Sequence, residues 1–228
     1  MFFGANYFIY MIPAFILSLG AQWYVKSSYN KWNRVMSRSR MTGAEAVQRL
    51  MRTAGLYNIN IEPVRGKLSD HYDPRTKTLR LSEDNYRGTS VAALAVAAHE
   101  FGHALQDKHG YAPLKLRSAM VPAVNIGSNL GIILILIGLF LNFTGLAWLG
   151  IIIFSAGAAF ALVTLPVEFD ASKRAKQLLL ESGIVTHEDE ARGVNTVLNA
   201  AALTYVAALI TAVLQVLYYA SLLTGRRD

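Results

Sequence analysis

The sequence predicts a mainly α membrane protein with four transmembrane helices and a small α+β domain in its one long polar region. Hydrophobic residues make up 53% of the 228 residues, and charged residues make up only 16%. Soluble proteins carry about 25% charged residues. Three long stretches contain no Asp, Glu, Lys or Arg, and a polar region separates the first two. Lipid is therefore expected to be part of the solvent of this chain.

The charge-free stretches have room for four membrane spans. They cover residues 1–25, 118–167 and 193–225. A spanning helix needs about 20 apolar residues, so the outer stretches hold one span each. The middle stretch holds two spans joined by a turn at 142–145. We place the spans at about 2–24, 121–141, 146–166 and 197–222.

The first stretch could instead be a cleaved signal peptide. It lacks a basic segment at its start and a convincing small-residue cleavage site at its end. We therefore expect a retained membrane anchor. The predicted organisation is a first transmembrane helix at 1–25, a polar domain at 26–117, a transmembrane hairpin at 118–167, a polar helix at 168–192, and a last transmembrane helix with a short tail at 193–228.

The net charge of +7 is distributed unevenly. Four spans place the two polar segments on one side of the membrane, and that side carries 20 of the 22 Lys and Arg residues. Lys and Arg close to membrane spans mark the cytoplasmic face. We interpret the positive charge as a topology signal and expect no nucleic-acid partner.

The first half of the polar domain begins with a helix. Thr42 and Glu45 are spaced as a capping box, and Gly55 is placed to end the helix after about Ala54. Residues 58–64 alternate enough to predict a short strand.

The second half of the polar domain contains a hairpin and a second helix. Residues 68–81 predict a β-hairpin around Asp73-Pro74-Arg75-Thr76, because Pro presets φ at the second turn position. The hairpin could be purely structural, or its edge could pair with an extended substrate backbone. From Ser90 to about residue 107 the pattern is helical and rich in Ala, with Thr89 or Ser90 as N-cap.

That helix contains His99-Glu100-Phe101-Gly102-His103. Residues four apart share a helix face, so the two imidazoles can reach one metal ion. Glu100 can contact a water molecule at the metal and accept its proton. Gly102 weakens a helix by about 1 kcal/mol relative to Ala, which is explained if something must approach the backbone closely at this position.

A catalytic zinc ion takes three protein ligands and keeps one position open. The chain has no cysteine, so the third ligand must be His, Asp or Glu. The candidates on the same side are His71, His109, His187, Glu168 and Asp170. Glu168 is the best placed of them, because it follows the hairpin and begins a helical run after Pro166. The alternative role for Glu168 is to stabilise the start of its own helix.

The motif with its flanking alanines and Glu168-Phe169-Asp170-Ala171 after a membrane hairpin resembles the YugP-type neutral zinc metallopeptidases of bacteria. Met1-Phe2-Phe3 and residues 70–77 extend the likeness over nearly the whole chain. More distantly, the chain is similar to the HtpX and prenyl-protein protease group. The resemblance implies a zincin-like domain at the bacterial inner membrane. It also implies one catalytic Zn²⁺ held by His99, His103 and Glu168, with Glu100 as the base.

One position departs from the HtpX-like pattern, in which an Asp four residues after the ligand Glu braces a zinc-bound histidine. Here Ser172 occupies that position. Either Asp170 takes over the role from a different helix angle, or the brace comes from elsewhere.

The oxyanion of the reaction also needs a donor besides zinc. The side chains Tyr72, His71, Arg117 and His187 are candidates for oxyanion or substrate binding.

The favoured function is a zinc-dependent endopeptidase acting on membrane-proximal protein or peptide substrates, with its site facing the cytoplasm. The alternative is a non-catalytic membrane adaptor or assembly factor stabilised by zinc, in which Glu100 would have no purpose. A metal or proton transporter would need ionisable residues inside its spans, and these spans contain none.

Overall fold

The structure is a computed structural model that describes residues 5–224. Two features used above lie outside these residues: Met1-Phe2-Phe3, and Arg226 and Arg227 of the charge count. The described chain forms seven helices and three strands: α1 (Ala5–Asn33), α2 (Gly43–Ala54), β1 (Asn60–Val64), β2 (His71–Asp73), β3 (Thr78–Ser82), α3 (Glu83–Tyr86), α4 (Val91–Lys108), α5 (Ala112–Phe140), α6 (Thr144–Glu181) and α7 (Glu188–Thr224).

Four of the helices, α1, α5, α6 and α7, are long and apolar enough to cross a membrane. The structure therefore confirms the predicted mainly helical fold with a small sheet and four helices that could span a membrane. Each helix extends beyond the apolar span that the sequence indicated. Helix α1 continues to Asn33, and α5 begins at Ala112.

The largest difference from the sequence prediction lies in α6. We expected a new helical run after Pro166, but Pro166 lies inside α6, which continues without interruption to Glu181. Proline removes one backbone hydrogen bond and crowds the preceding turn, yet the helix continues through it. Glu168 is therefore far from a helix N-terminus, and stabilisation of its own helix dipole cannot explain it.

The chain divides into two compact units. The apolar unit contains residues up to 22, residues 115–166 and residues from 204 onward; the polar unit contains residues 23–114 and 167–203. In the apolar unit, α5 and α6 approach closely at glycines. A Cβ at Gly131 would lie 2.7 Å from the backbone nitrogen of Phe154. Small residues at such crossings let membrane helices pack through their backbones.

The polar unit is built around the sheet and helix α4. The strand order is β1-β3-β2, with β1 parallel and β2 antiparallel to β3. The predicted hairpin is confirmed, whereas the parallel pairing of β1 and the short helix α3 were not predicted. The central strand is the most buried, and its Leu79 and Leu81 are fully buried. They share a core with residues from α2, α4, α6 and α7, among them Leu50, Leu94, Phe101, Leu179 and Leu198.

The predicted helix ends are also confirmed. Thr42 and Glu45 form the capping box of α2, and Gly55 ends the helix with a φ of 58°. At α4 the cap is Ser90, whose Oγ accepts a hydrogen bond from the backbone N–H of Ala93 at 3.1 Å. Ser90 satisfies an amide that the first helical turn leaves unpaired.

Helices α4 and α6 approach each other closely at Gly102. A Cβ at this position would lie 2.5 Å from the carbonyl oxygen of Ala171 and 3.1 Å from its Cα. The sequence predicted that some group approaches the backbone closely here, and the backbone of Ala171 is that group. The contact brings the face of α4 that carries His99 and His103 against the turn of α6 that carries Glu168.

We expect Gly102→Ala to destabilise the protein, because the added methyl group meets backbone rather than a mobile side chain. Overpacking of this kind costs about 1–3 kcal/mol. The thermal unfolding temperature of the detergent-purified protein, followed by tryptophan fluorescence, should therefore fall.

Gly20→Ala is the matched control, because a Cβ at Gly20 in α1 meets no atom within 4 Å. That variant should be neutral or stabilising, since alanine favours helix more than glycine does. Equal unfolding temperatures for the two variants would contradict the packing account.

Candidate metal centre

Two elements of the polar unit bring three side chains together. His99 and His103 lie one turn apart on α4, and Glu168 enters from α6. The Oε2 atom of Glu168 lies 3.2 Å from Nε2 of His99 and 3.7 Å from Nε2 of His103. Both imidazoles therefore present Nε2 to the same carboxylate oxygen.

The three side chains form a candidate metal site. One ligand atom from each lies within 4.8 Å of the others, and no other set of three or more His, Asp or Glu side chains does so among residues 5–224. Two imidazoles and a carboxylate are a donor set of catalytic zinc sites, which keep a further position open. The residues present therefore fit a catalytic zinc ion.

Burial makes the three side chains depend on one another. The side chain of Glu168 is only 2% exposed, and those of His99 and His103 are 12% and 10% exposed. A buried carboxylate is costly unless it is paired, and here it faces both imidazoles. Burial alone lowers the pKa of His103, but the hydrogen bond to Glu168 and the nearby carboxylates outweigh it and raise the pKa. Protons and a metal ion therefore compete for the same nitrogen.

Glu100 differs from Glu168 in its environment. Its side chain is also buried, and burial raises the pKa of its carboxyl group, an effect that His99 and His103 oppose. Among the described residues, no side chain or backbone group is hydrogen-bonded to it. Glu100 thus places a carboxyl group beside His99, His103 and Glu168 that has no hydrogen-bond partner among the described residues and can accept a proton.

The outward nitrogens of the two histidines have different partners. Nδ1 of His99 lies 3.2 Å from Oγ of Ser172. Ser172 thus contacts a histidine from the position where the HtpX-like group has Asp. Nδ1 of His103 lies 3.0 Å from Oε1 of Gln106. Asp170 touches neither ring and instead accepts a hydrogen bond from Gln106 at 2.9 Å.

Sequence reasoning missed Gln106. A signal for it exists, because Gln106 follows His103 by three residues and so shares its helix face. Glutamine is common on helices, however, and its partners on α6 are distant in sequence.

The other proposed site residues have partners elsewhere. Tyr72 donates a hydrogen bond to Asp107 at 2.7 Å, and burial raises the pKa of its hydroxyl. His71 is exposed and contacts the carbonyl of Ser69, and His187 contacts Arg38. Arg117 belongs to the apolar unit.

His109 is likewise separate from the three-residue group. It caps the end of α4, and its Nδ1 lies 2.9 Å from a guanidinium nitrogen of Arg174. Of the third-ligand candidates, Glu168 is therefore the one that lies with His99 and His103.

Comparison with known proteins agrees with this chemistry. Residues 7–224 match the family described as "Putative neutral zinc metallopeptidase". The chain is 46% identical over 222 residues to the "Putative membrane protease YugP" of Bacillus subtilis (strain 168), which covers 97% of this chain and 98% of that relative. No solved structure matches the chain. The four apolar helices and the membrane protease relative indicate a membrane protein, and the match over almost the whole length shows that the chain belongs to this family of neutral zinc metallopeptidases.

Proposed function

We propose that the protein is a membrane-embedded, zinc-dependent endopeptidase of the HExxH type. In this proposal His99, His103 and Glu168 hold one Zn²⁺ in a zincin-like domain, and Glu100 is the catalytic base. The observation that carries it is the meeting of Glu168 with His99, although the two are 69 positions apart in the chain. Packing of α4 against α6 assembles a donor set that neither helix has alone.

The residues around the group are suited to peptide hydrolysis. A zinc ion supplies Lewis acidity, which polarises a carbonyl oxygen and makes water more acidic. Glu100 accepts the proton of the attacking water and then donates it to the leaving amine. Burial raises the pKa of the Glu100 carboxyl group, and a raised pKa makes the protonated form that this second role requires easier to reach. The carboxylate of Glu168 lies on the Nε2 side of both imidazole rings, so the three proposed ligand atoms face one another.

Strand β2 is a candidate substrate platform. It lies at the edge of the sheet, pairs with β3 on one side and packs against α4. An edge strand can bind an extended peptide through backbone hydrogen bonds. We propose that membrane-proximal protein segments or peptides bind there as substrates, in line with the membrane protease name of the relative.

We further propose that the site faces the cytoplasm of a bacterial inner membrane. The support is the distribution of charge: 20 of the 22 Lys and Arg residues lie in the two polar segments at 26–117 and 168–192. Such residues close to membrane spans are retained in the cytoplasm.

Glu100→Gln separates an enzyme from a zinc-stabilised adaptor. Glutamine keeps the size of the side chain and leaves all three proposed ligands in place, but it cannot accept a proton. We expect about one zinc ion per chain, as in the unmodified protein, and loss of hydrolysis of a casein-type substrate. Metal analysis and release of labelled peptides measure the two properties.

The control is Glu83→Gln, an exposed residue paired with Arg87 on the surface, which should hydrolyse normally. Normal turnover by Glu100→Gln would rule out the proposed base. If the unmodified protein bound zinc but cleaved nothing, the adaptor alternative would be supported.

Membrane sidedness can be measured with single cysteines, because the chain has none of its own. Phe143→Cys, in the exposed turn between α5 and α6, should react with a membrane-impermeant maleimide on intact spheroplasts. Lys67→Cys, in the polar segment, should react only after the membrane is opened. The reverse pattern would place the site outside the cytoplasm.

A further inference from the structure

Gln106 is a buried amide whose three hydrogen bonds all involve the candidate metal centre or its supporting helix. It is fully buried in α4. Its Oε1 lies 3.0 Å from Nδ1 of His103, and its Nε2 donates to the carbonyl of Val167 at 2.7 Å and to Oδ2 of Asp170 at 2.9 Å. Val167 and Asp170 flank Glu168 on α6.

These partners determine which way the amide faces. The Val167 carbonyl and the Asp170 carboxylate are both acceptors, so they require the NH₂ end of Gln106. Rotating the amide by 180° would place its oxygen against both acceptors and lose two buried hydrogen bonds, each costly to leave unmade. Oε1 therefore has to face His103.

The amide orientation in turn determines the role of each nitrogen of His103. Because Gln106 presents only an acceptor, Nδ1 of His103 must carry the hydrogen. The lone pair of a neutral ring is then on Nε2, the atom that faces Glu168. A hydrogen bond at one ring nitrogen commonly fixes the nitrogen that binds a metal.

We infer that Gln106 is a positioning residue that fixes the positions of two of the three proposed zinc ligands, His103 and Glu168. It fixes the ring of His103 directly, and it holds the turn of α6 that carries Glu168 through Val167 and Asp170. This inference rests on the proposed zinc site.

Among the described residues, Asp170 is hydrogen-bonded to the site through Gln106. The guanidinium of Arg174 donates to Oδ2 of Asp170 at 2.6 Å, and the side chains of both residues are about a quarter exposed. This partly exposed salt bridge thus holds the carboxylate of Asp170 towards the buried amide of Gln106. His99 has a separate support, since its outward nitrogen faces Ser172. The two histidines therefore have independent supports.

Zinc affinity of four purified proteins tests the inference: the unmodified chain, Gln106→Met, Asp170→Ala and the double variant. Methionine keeps the length of the side chain and removes the hydrogen bonds. We expect Gln106→Met to bind zinc about 10–100-fold more weakly, as losses of partners behind metal-bound histidines do. Competition with a chromophoric chelator measures the affinity.

The double variant distinguishes a hydrogen-bonded chain from packing. If Asp170 acts through Gln106, Asp170→Ala weakens zinc binding alone but adds nothing to Gln106→Met. Residues in one network give such non-additive effects. Ser172→Ala, which acts on the other ring, should instead multiply the loss when combined with Gln106→Met.

Asp107→Ala is the matched control, because Asp107 is a similarly exposed carboxylate on α4 paired with Lys77 and Tyr72. Its zinc affinity should be unchanged. The inference would be overturned if Gln106→Met bound zinc as tightly as the unmodified chain. It would also be overturned if the losses of zinc affinity caused by Gln106→Met and Asp170→Ala multiplied in the double variant. If Gln106→Met does not fold, the zinc affinities of Asp170→Ala and Asp107→Ala are compared instead. Equal affinities of these two variants would overturn the inference. Absence of zinc binding by the unmodified chain would instead refute the proposed function.

Discussion

The buried carboxylate of Glu168 is the constraint on which the polar unit depends. Its side chain is almost inaccessible to water, and an ionised group there must be matched by partners of its own. The Nε2 atoms of His99 and His103 are among those partners, and they reach Glu168 where α4 and α6 touch at Gly102 and Ala171. The site therefore depends on the helix crossing, and the crossing depends on the absence of a side chain at Gly102.

The supports that we infer behind the two histidines differ from the HtpX-like pattern in where the acid lies. Ser172 contacts His99 from the position at which the HtpX-like group has Asp, but a hydroxyl is a weaker acceptor than a carboxylate. A carboxylate is nevertheless close by: Asp170 accepts a hydrogen bond from Gln106, whose amide oxygen faces the ring of His103. The negative charge stays at the edge of the site, and a neutral amide occupies the buried position. This arrangement avoids burying a third carboxylate beside Glu100 and Glu168.

Features encoded in neighbouring residues could be predicted from the sequence. The spacing of His99 and His103, the capping box at Thr42 and the hairpin turn at Asp73 each depend on residues within one turn of one another. The parallel pairing of β1 with β3 and the convergence on Glu168 depend on tertiary packing, which leaves no periodic signal. The sequence thus offered five candidates for the third ligand and favoured Glu168 among them only by its position after the hairpin. It also misplaced a helix start after Pro166, because α6 continues through that residue despite the backbone hydrogen bond that proline removes.

The most direct test of this account is X-ray absorption at the zinc edge, measured on the unmodified protein and on Glu168→Ala. The account predicts two imidazole nitrogens and a carboxylate oxygen at about 2.0–2.2 Å around the zinc ion of the unmodified protein. In Glu168→Ala the carboxylate oxygen should be lost and zinc binding strongly weakened. An unchanged coordination shell and affinity in Glu168→Ala would contradict the account and place the third ligand elsewhere in the chain.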